Sequence, residues 1–352
     1  MSRDFVLGLR ACRGSASATV VASRNGNNAL RFAAELGVPT ASADYEAALS
    51  ASEVDALYIA TPPSMHEAHA LAGIAAGKPV LVEKPFALDA AAAARIVEAA
   101  RLKKVFCMEG MWTRFLPLIS AVHSRIVAGA IGEVRGFRGE FCGPSRPDPA
   151  VSNFDPARGG GALMHKGVYP VSLARLFLGP IESVESTVWI GDSGVDEECA
   201  LALRHATGAI STVRASNRTA GSNDAMVYGT KGLIHIKSPI CRPPVAQIMQ
   251  FGENSRGAKT AEVSRLERWA GEGRGQGLRQ RADYLIRAFR ATSGKRITSY
   301  YTGNGFQYEA EALMQGVAAG TIESNLMPLE ESIDVMKVVD KARAKWCRGS
   351  RT

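Results

Sequence analysis

The residues best placed to do chemistry follow an apolar run. In Pro79-Val80-Leu81-Val82-Glu83-Lys84-Pro85 three β-formers give way to a carboxylate, an amine and a proline. An apolar run without alternation suits a strand covered on both faces. Proline cannot continue a central strand. Glu83 and Lys84 are therefore expected at the carboxyl end of a parallel strand, where open α/β sheets bind their ligands. Taken alone, the pair reads equally well as a salt bridge at a strand exit. His66 and His69 lie one helical turn apart, a spacing seen in metal sites, but no further ligand accompanies them and no metal is expected. The six cysteines, at 12, 107, 142, 199, 241 and 347, form no Cys-x-x-Cys pair, which favours reduced thiols and a cytoplasmic protein.

Elements must hold these groups in place, and their pattern is readable. Segments 18–24, 54–60, 79–83 and 105–108 read as buried strands. They alternate with helices at 29–36, 45–50, 66–76 and 87–103, the pattern of a doubly wound parallel sheet. Beyond Trp112 the texture changes. A helix at 116–128 and an alternating strand at 133–141 lead to a helix at 162–178. Strand-like runs then follow at 181–190, 198–205, 208–216, 224–230 and 232–237, joined by tight turns, as in an antiparallel sheet open on one face. Residues 252–282 are polar, basic and rich in glycine, and read as a long loop. Amphipathic helices are expected at 306–319 and 330–346. With 352 residues, two domains are expected, 1–112 and 113–352.

The formal charge is +8, with a late basic cluster at Arg265, Arg268, Arg274, Arg279, Arg281, Arg287 and Arg290. No nucleic-acid-binding motif accompanies it, so a solvated basic surface is the better reading. No apolar run approaches the ~18 residues of a membrane span, and the first residues carry no secretory pattern.

Together, these features resemble the glucose–fructose oxidoreductase/inositol dehydrogenase/MocA family over nearly the whole chain. Thr61-Pro62-Pro63-Ser64-Met65-His66 is similar to its strand-end loop, and Glu83-Lys84-Pro85 to its signature. Met108-Glu109-Gly110-Met111-Trp112-Thr113-Arg114-Phe115 resembles the branch containing dihydrodiol dehydrogenases. Gly159-Gly160-Gly161-Ala162 through Gly167-Val168-Tyr169-Pro170 looks like the active-site helix, and Gly303-Asn304-Gly305-Phe306 and Met327-Pro328-Leu329 fit the same branch. The resemblance implies a Rossmann-type domain, then an α+β domain. It also implies hydride transfer between a nicotinamide and a secondary alcohol of a sugar, cyclic polyol or dihydrodiol, in a homodimer or higher homo-oligomer. Lys84 and Tyr169 take the catalytic positions. Ser23, Arg24, Thr61, Pro62, His66, Glu83, Lys84 and Arg114 become cofactor candidates, and Trp112, Phe141 and Tyr169 substrate candidates. An arginine at position 24, where an acidic residue would suit NAD, favours NADP.

Two departures stand out. The family's opening strand and Gly-x-Gly-x-x-Ala turn have no counterpart, and residues 3–12 read as the first helix instead. A start assigned too far downstream is the favoured explanation. His165 stands where the family commonly has Asp, four residues before Tyr169. It shares a helix face with Tyr169 but cannot supply a carboxylate beside Lys84, so a weaker or altered catalyst is expected. The alternative to an active enzyme is an impaired or regulatory sugar-binding protein with the same two-domain shell.

Overall fold

The computed structural model describes residues 1–14, 16–148, 151–251, 294–301 and 303–349. The long loop expected at 252–282 and the basic cluster between Arg265 and Arg290 lie outside the described residues.

The first half opens with helix α1 (Ser2–Leu9) and continues as β1 (Val20–Ala22), α2 (Gly26–Leu36), β2 (Thr40–Ser42), α3 (Tyr45–Ser50), β3 (Leu57–Ile59), α4 (His66–Ala75), β4 (Val80–Glu83), α5 (Ala90–Lys103) and β5 (Cys107–Gly110). Local chemistry sets the helix ends. The Asn25 side chain accepts from Asn28 N–H to start α2, and Asp89 accepts from Ala92 N–H at 2.7 Å to start α5. Gly37 ends α2 at φ +70°, a conformation that glycine adopts without steric cost.

All the pairings in this half are parallel, but they form two sheets. β1 pairs with β2, and β3, β4 and β5 pair in that order. Among the described residues no strand joins β1 to β3. Strand β4 is buried throughout, as its apolar run requires, whereas β1 is only half-buried. Residues 18–24 were expected to form a buried strand. The run is shorter and more exposed because nothing pairs with its outer edge. Phe5 of α1 turns toward this opening and stacks on Tyr58 of β3, with centroids 3.7 Å apart and planes at 9°. Ala33, Leu36 and Val38 form a small core of their own, apart from the main one.

The second half begins with α6 (Pro117–Val127) and β6 (Val134–Cys142). One π turn (Leu163–Gly167) runs into α7 (Val168–Leu178). Strands β7 (Ile181–Ile190), β8 (Asp196–His205), β9 (Ile210–Ser216), β10 (Ala225–Gly229), β11 (Gly232–Ile236), β12 (Val245–Gln250) and β13 (Lys295–Thr298) follow. With β6 they build an eight-stranded sheet in the order β13-β12-β11-β10-β6-β9-β8-β7. Every neighbour is antiparallel except the pair β6 and β9. Burial alternates along β8, with Cys199, Leu201 and Leu203 inward and Ala200, Ala202 and Arg204 outward, so one face is packed and the other open. Helices α8 (Gln307–Ala318) and α9 (Leu329–Gly349) close the chain, and α9 packs on both α5 and β7, tying the two halves together.

Candidate active site

The apolar run of β4 carries Glu83 to a buried position at the strand end. Its Oε1 accepts the Tyr58 hydroxyl at 2.5 Å and its Oε2 accepts Lys84 N–H at 3.0 Å. Glu83 is thus committed to holding the strand exit, and the chain turns so that the Lys84 side chain points to the second half. There Lys84 Nζ donates to the His165 carbonyl at 3.0 Å and lies 5.2 Å from the centre of the Tyr169 ring. Burial pushes the Lys84 amine below the usual lysine range, against the opposing pull of Glu83.

The π turn and α7 carry the other members. Tyr169 is buried, and its hydroxyl oxygen accepts Trp112 Nε1–H at 3.0 Å. Burial holds its phenol well above the ordinary tyrosine range. Trp112 is fixed by stacking on Phe306, centroids 4.7 Å apart with planes at 7°, and Phe141 meets the Tyr169 ring edge-on at 5.4 Å. His165 is largely buried; its Nε2 has no partner, and its ring bonds the Gly159 backbone. Burial first, and Lys84 second, push its pKa down to about 3, so it is neutral at working pH. The repulsion that a protonated His165 would exert on Lys84 therefore does not arise.

A second group surrounds a cleft of about 1100 Å³ that runs into the opening between β1 and β3. Ser23 and Arg24 at the end of β1, Thr61, Pro62 and Tyr58 line it together with Ser2, Phe5, Val6 and Leu9 of α1. Arg24 is exposed. Lys84 and Tyr169 are not on its wall; the link is Tyr58, which faces the cleft and bonds Glu83 behind Lys84.

Two cofactor candidates lie elsewhere. Arg114 is buried, with its guanidinium turned inward: it ion-pairs with Glu331 at 2.7 Å and donates to the Ser172 carbonyl and hydroxyl and to the Leu326 carbonyl. It clamps α9 rather than facing a ligand. His66 is buried between two backbone carbonyls, of Thr61 and Pro85, each 2.8 Å from a ring nitrogen, and staples the two strand-end loops together. His69 contacts Thr61 Oγ1 at 3.1 Å, and no metal-binding cluster occurs among the described residues. Sequence reasoning did not find Tyr58, which fixes Glu83, or Asp196, whose carboxylate lies against Gly161 before the π turn. Neither stands in a recognisable motif.

Comparison with known proteins agrees with this layout. Residues 3–111 match the family model described as the oxidoreductase family with an NAD-binding Rossmann fold. Residues 119–235 match that of the GFO/IDH/MocA C-terminal domain. Trans-1,2-dihydrobenzene-1,2-diol dehydrogenase of Oryctolagus cuniculus is 29% identical over 346 residues, covering 96% of this chain and 94% of the relative. A levoglucosan dehydrogenase in complex with NADH and levoglucosan superposes with a TM-score of 0.78 at 19% identity, covering 99% of this chain and 93% of that one. A 3-ketoreductase from Actinomadura kijaniata, in complex with TDP-benzene and NADP, superposes with a TM-score of 0.73 at 23% identity, covering 97% and 92%. At these identities the two structures speak for the fold.

Proposed function

The chain belongs to the GFO/IDH/MocA oxidoreductase family, and from that premise we propose that it is an NADP-dependent dehydrogenase or reductase. Its substrate would be a secondary alcohol, or the matching ketone, of a dihydrodiol, sugar or cyclic polyol. Residues 1–112 would take the dinucleotide and 113–352 the substrate and self-association. The observation that carries this reading is the meeting of Lys84 and Tyr169 across the two halves, with the amine 5.2 Å from the ring.

The residues present fit the two ends of the cofactor. Exposed Arg24, with Ser23 beside it, suits a ribose 2′-phosphate, since a guanidinium offers a planar fork of donors. Thr61 and Pro62 would wall the same cleft. At the reacting end, Lys84 and Tyr169 suit an alcohol oxygen. The middle is different. Among the described residues no glycine lines the cleft, and α1 brings Ser2, Phe5, Val6 and Leu9 to its wall. Such folds use backbone N–H groups at a helix start, behind a glycine turn, for a pyrophosphate; here the helix starts on the cleft wall are Ser2 of α1 and Asn25 ahead of α2.

The bound nicotinamide supplies the hydride chemistry. This chain's own residues handle the proton. Tyr169, kept as a phenol by burial, has its oxygen occupied by Trp112 and its proton free to donate to the substrate oxygen. Lys84, drawn by burial toward the free amine, accepts the proton that leaves the alcohol and returns it in the reverse direction. Trp112 and Phe141 fix the Tyr169 ring and exclude water. The open face of the eight-stranded sheet, where Trp189 is 56% exposed, is the surface for self-association.

A titration with NADPH and with NADH, followed by nicotinamide fluorescence, tests the cofactor assignment. Rates with a panel of trans-dihydrodiols and aldoses test the substrate class. Saturable binding that prefers NADPH is expected. A folded protein that binds neither nucleotide would overturn the assignment.

A further inference from the structure

We propose that Asp196 is a positioning residue for the reaction: reaching from the start of β8, its carboxylate holds the amino end of the π turn that carries the His165 carbonyl and leads to Tyr169. The inference rests on the function proposed above and adds a part that no motif marks.

The turn has no acceptor of its own. Ala162 occupies its cap position and makes no side-chain bond. The first N–H groups of a helical segment need acceptors, ordinarily from a Ser, Thr, Asn or Asp at that position. Here the acceptor comes from the sheet of the second half. Asp196 Oδ2 takes Leu163 N–H at 2.7 Å, and the Ala162 N–H also bonds the carboxylate. The approach is close enough to dictate the sequence before the turn. A Cβ built on Gly161 would lie 2.0 Å from Asp196 Oδ1, and Gly161 also sits at φ +121°. Glycine at 161 is therefore required twice, by space and by backbone conformation. A carboxylate at a helix start is also favoured by the helix dipole.

From this anchor the contacts run straight to the reacting groups. Three residues beyond Ala162, the His165 carbonyl takes Lys84 Nζ at 3.0 Å. Gly167 then ends the turn and Tyr169 follows in α7. A shift of the amino end moves the carbonyl that fixes Lys84. Asp196 is buried, and burial raises its carboxyl to about 6, with Arg343 of α9 and the N–H groups of Leu163 and Ala162 pulling the other way. Loss of its charge therefore falls in an accessible pH range.

The test follows the Lys84 side chain directly, in protein labelled with [13C]lysine, the resonance being assigned by its loss in Lys84→Arg. The native chain should show an inflection near pH 6 that belongs to Asp196, separate from the titration of Lys84 itself and from that of Glu109, which also acts on Lys84, is raised by burial to about 7 and is identified by its loss in Glu109→Gln. Asp196→Asn keeps the shape and one acceptor but cannot ionise, and should lack that inflection. Its kcat should fall about tenfold at pH 7.5, with KM within threefold, and should lose the change centred near pH 6 while keeping any due to Glu109. Asp196→Ala should lose more, with Asn recovering part of the loss. If the inflection persists in Asp196→Asn, the proposal is overturned. It is also overturned if Asn and Ala lower only the melting temperature and leave the Lys84 resonance unmoved. The resonance needs neither cofactor nor turnover, so it decides the matter even where the proposed activity fails, and Asn decides it where Ala does not fold.

Discussion

Trp112→Phe isolates one hydrogen bond at the reacting end. The indole does two things: its ring stacks on Phe306 at 4.7 Å, and its Nε1–H donates to the Tyr169 hydroxyl at 3.0 Å. Phenylalanine keeps a flat ring on Phe306 and removes the donor. A typical buried hydrogen bond contributes about 1 kcal/mol net, and about 1.5–3 kcal/mol when one partner bears charge. As Tyr169 gives its proton toward a developing alkoxide, its oxygen gains negative charge, so the bond strengthens in the transition state. A loss of about 1–2 kcal/mol there lowers kcat about 5- to 30-fold, while KM, which reflects ground-state contacts, stays within about threefold. The assay is steady-state oxidation of a trans-dihydrodiol or reduction of its ketone, followed by nicotinamide absorbance. Phe306→Leu serves as the control, since it removes the stacking partner and leaves the donor; it should lower the melting temperature more than it lowers kcat. A Trp112→Phe enzyme with kcat within twofold of the native value, or one whose whole loss lies in KM, would refute the role given to Tyr169.

Other expected outcomes are as direct. His165→Asp places a carboxylate beside Lys84 and should raise the lysine's pKa by about 1–3, seen in the Lys84 resonance; turnover should rise in the reduction direction, where the ammonium returns the proton, and a flat or lower value there counts against the idea. Arg24→Asp should reverse the preference for NADPH over NADH in fluorescence titrations, and an unchanged ratio would remove Arg24 from the cofactor site. Glu331→Gln leaves the buried Arg114 cation without its partner, which typically costs about 3–5 kcal/mol; denaturant melts should show that loss, with the NADPH:NADH ratio unaltered. Glu109 is buried, and burial raises its carboxyl from 4.5 to about 7. A carboxyl raised on folding adds stability that is complete below pH 4.5 and lost as pH climbs through 7. Glu109→Gln should thus be more stable than the native chain at pH 8, by up to about 3 kcal/mol, and gain nothing at pH 4.5.

The strands that announce themselves do so for simple reasons. Val80, Leu81 and Val82 ahead of Pro85 mark β4, and residues 181–190 form a strand-like run after the Gly179-Pro180 stop, so both strands lie where the pattern puts them. Strands β12 and β13 escaped because Val-Ala-Gln-Ile-Met-Gln dilutes two β-formers with alanine, methionine and glutamines, and Lys-Arg-Ile-Thr reads as surface. The family motifs brought Lys84, His165, Tyr169, Trp112 and Phe141 to one place. The inward turn of Arg114 was not legible, because its partner Glu331, far along the chain, leaves no local trace. Asp196 was invisible for the same reason: an acid at the start of a strand looks like any other until the fold lays it against Gly161.

The small core formed by Ala33, Leu36 and Val38 has a thermodynamic consequence. Arg24 sits on a unit that shares little apolar surface with the body holding Lys84, so that unit is the part expected to open first. Amides of α2 and β2 should exchange with deuterium at lower free energies than those of β4 and β5. A ligand that grips both Arg24 and Lys84 then spends part of its affinity on joining two cooperative blocks. The signature is a melt with two steps in the free protein that merge into one as ligand saturates it.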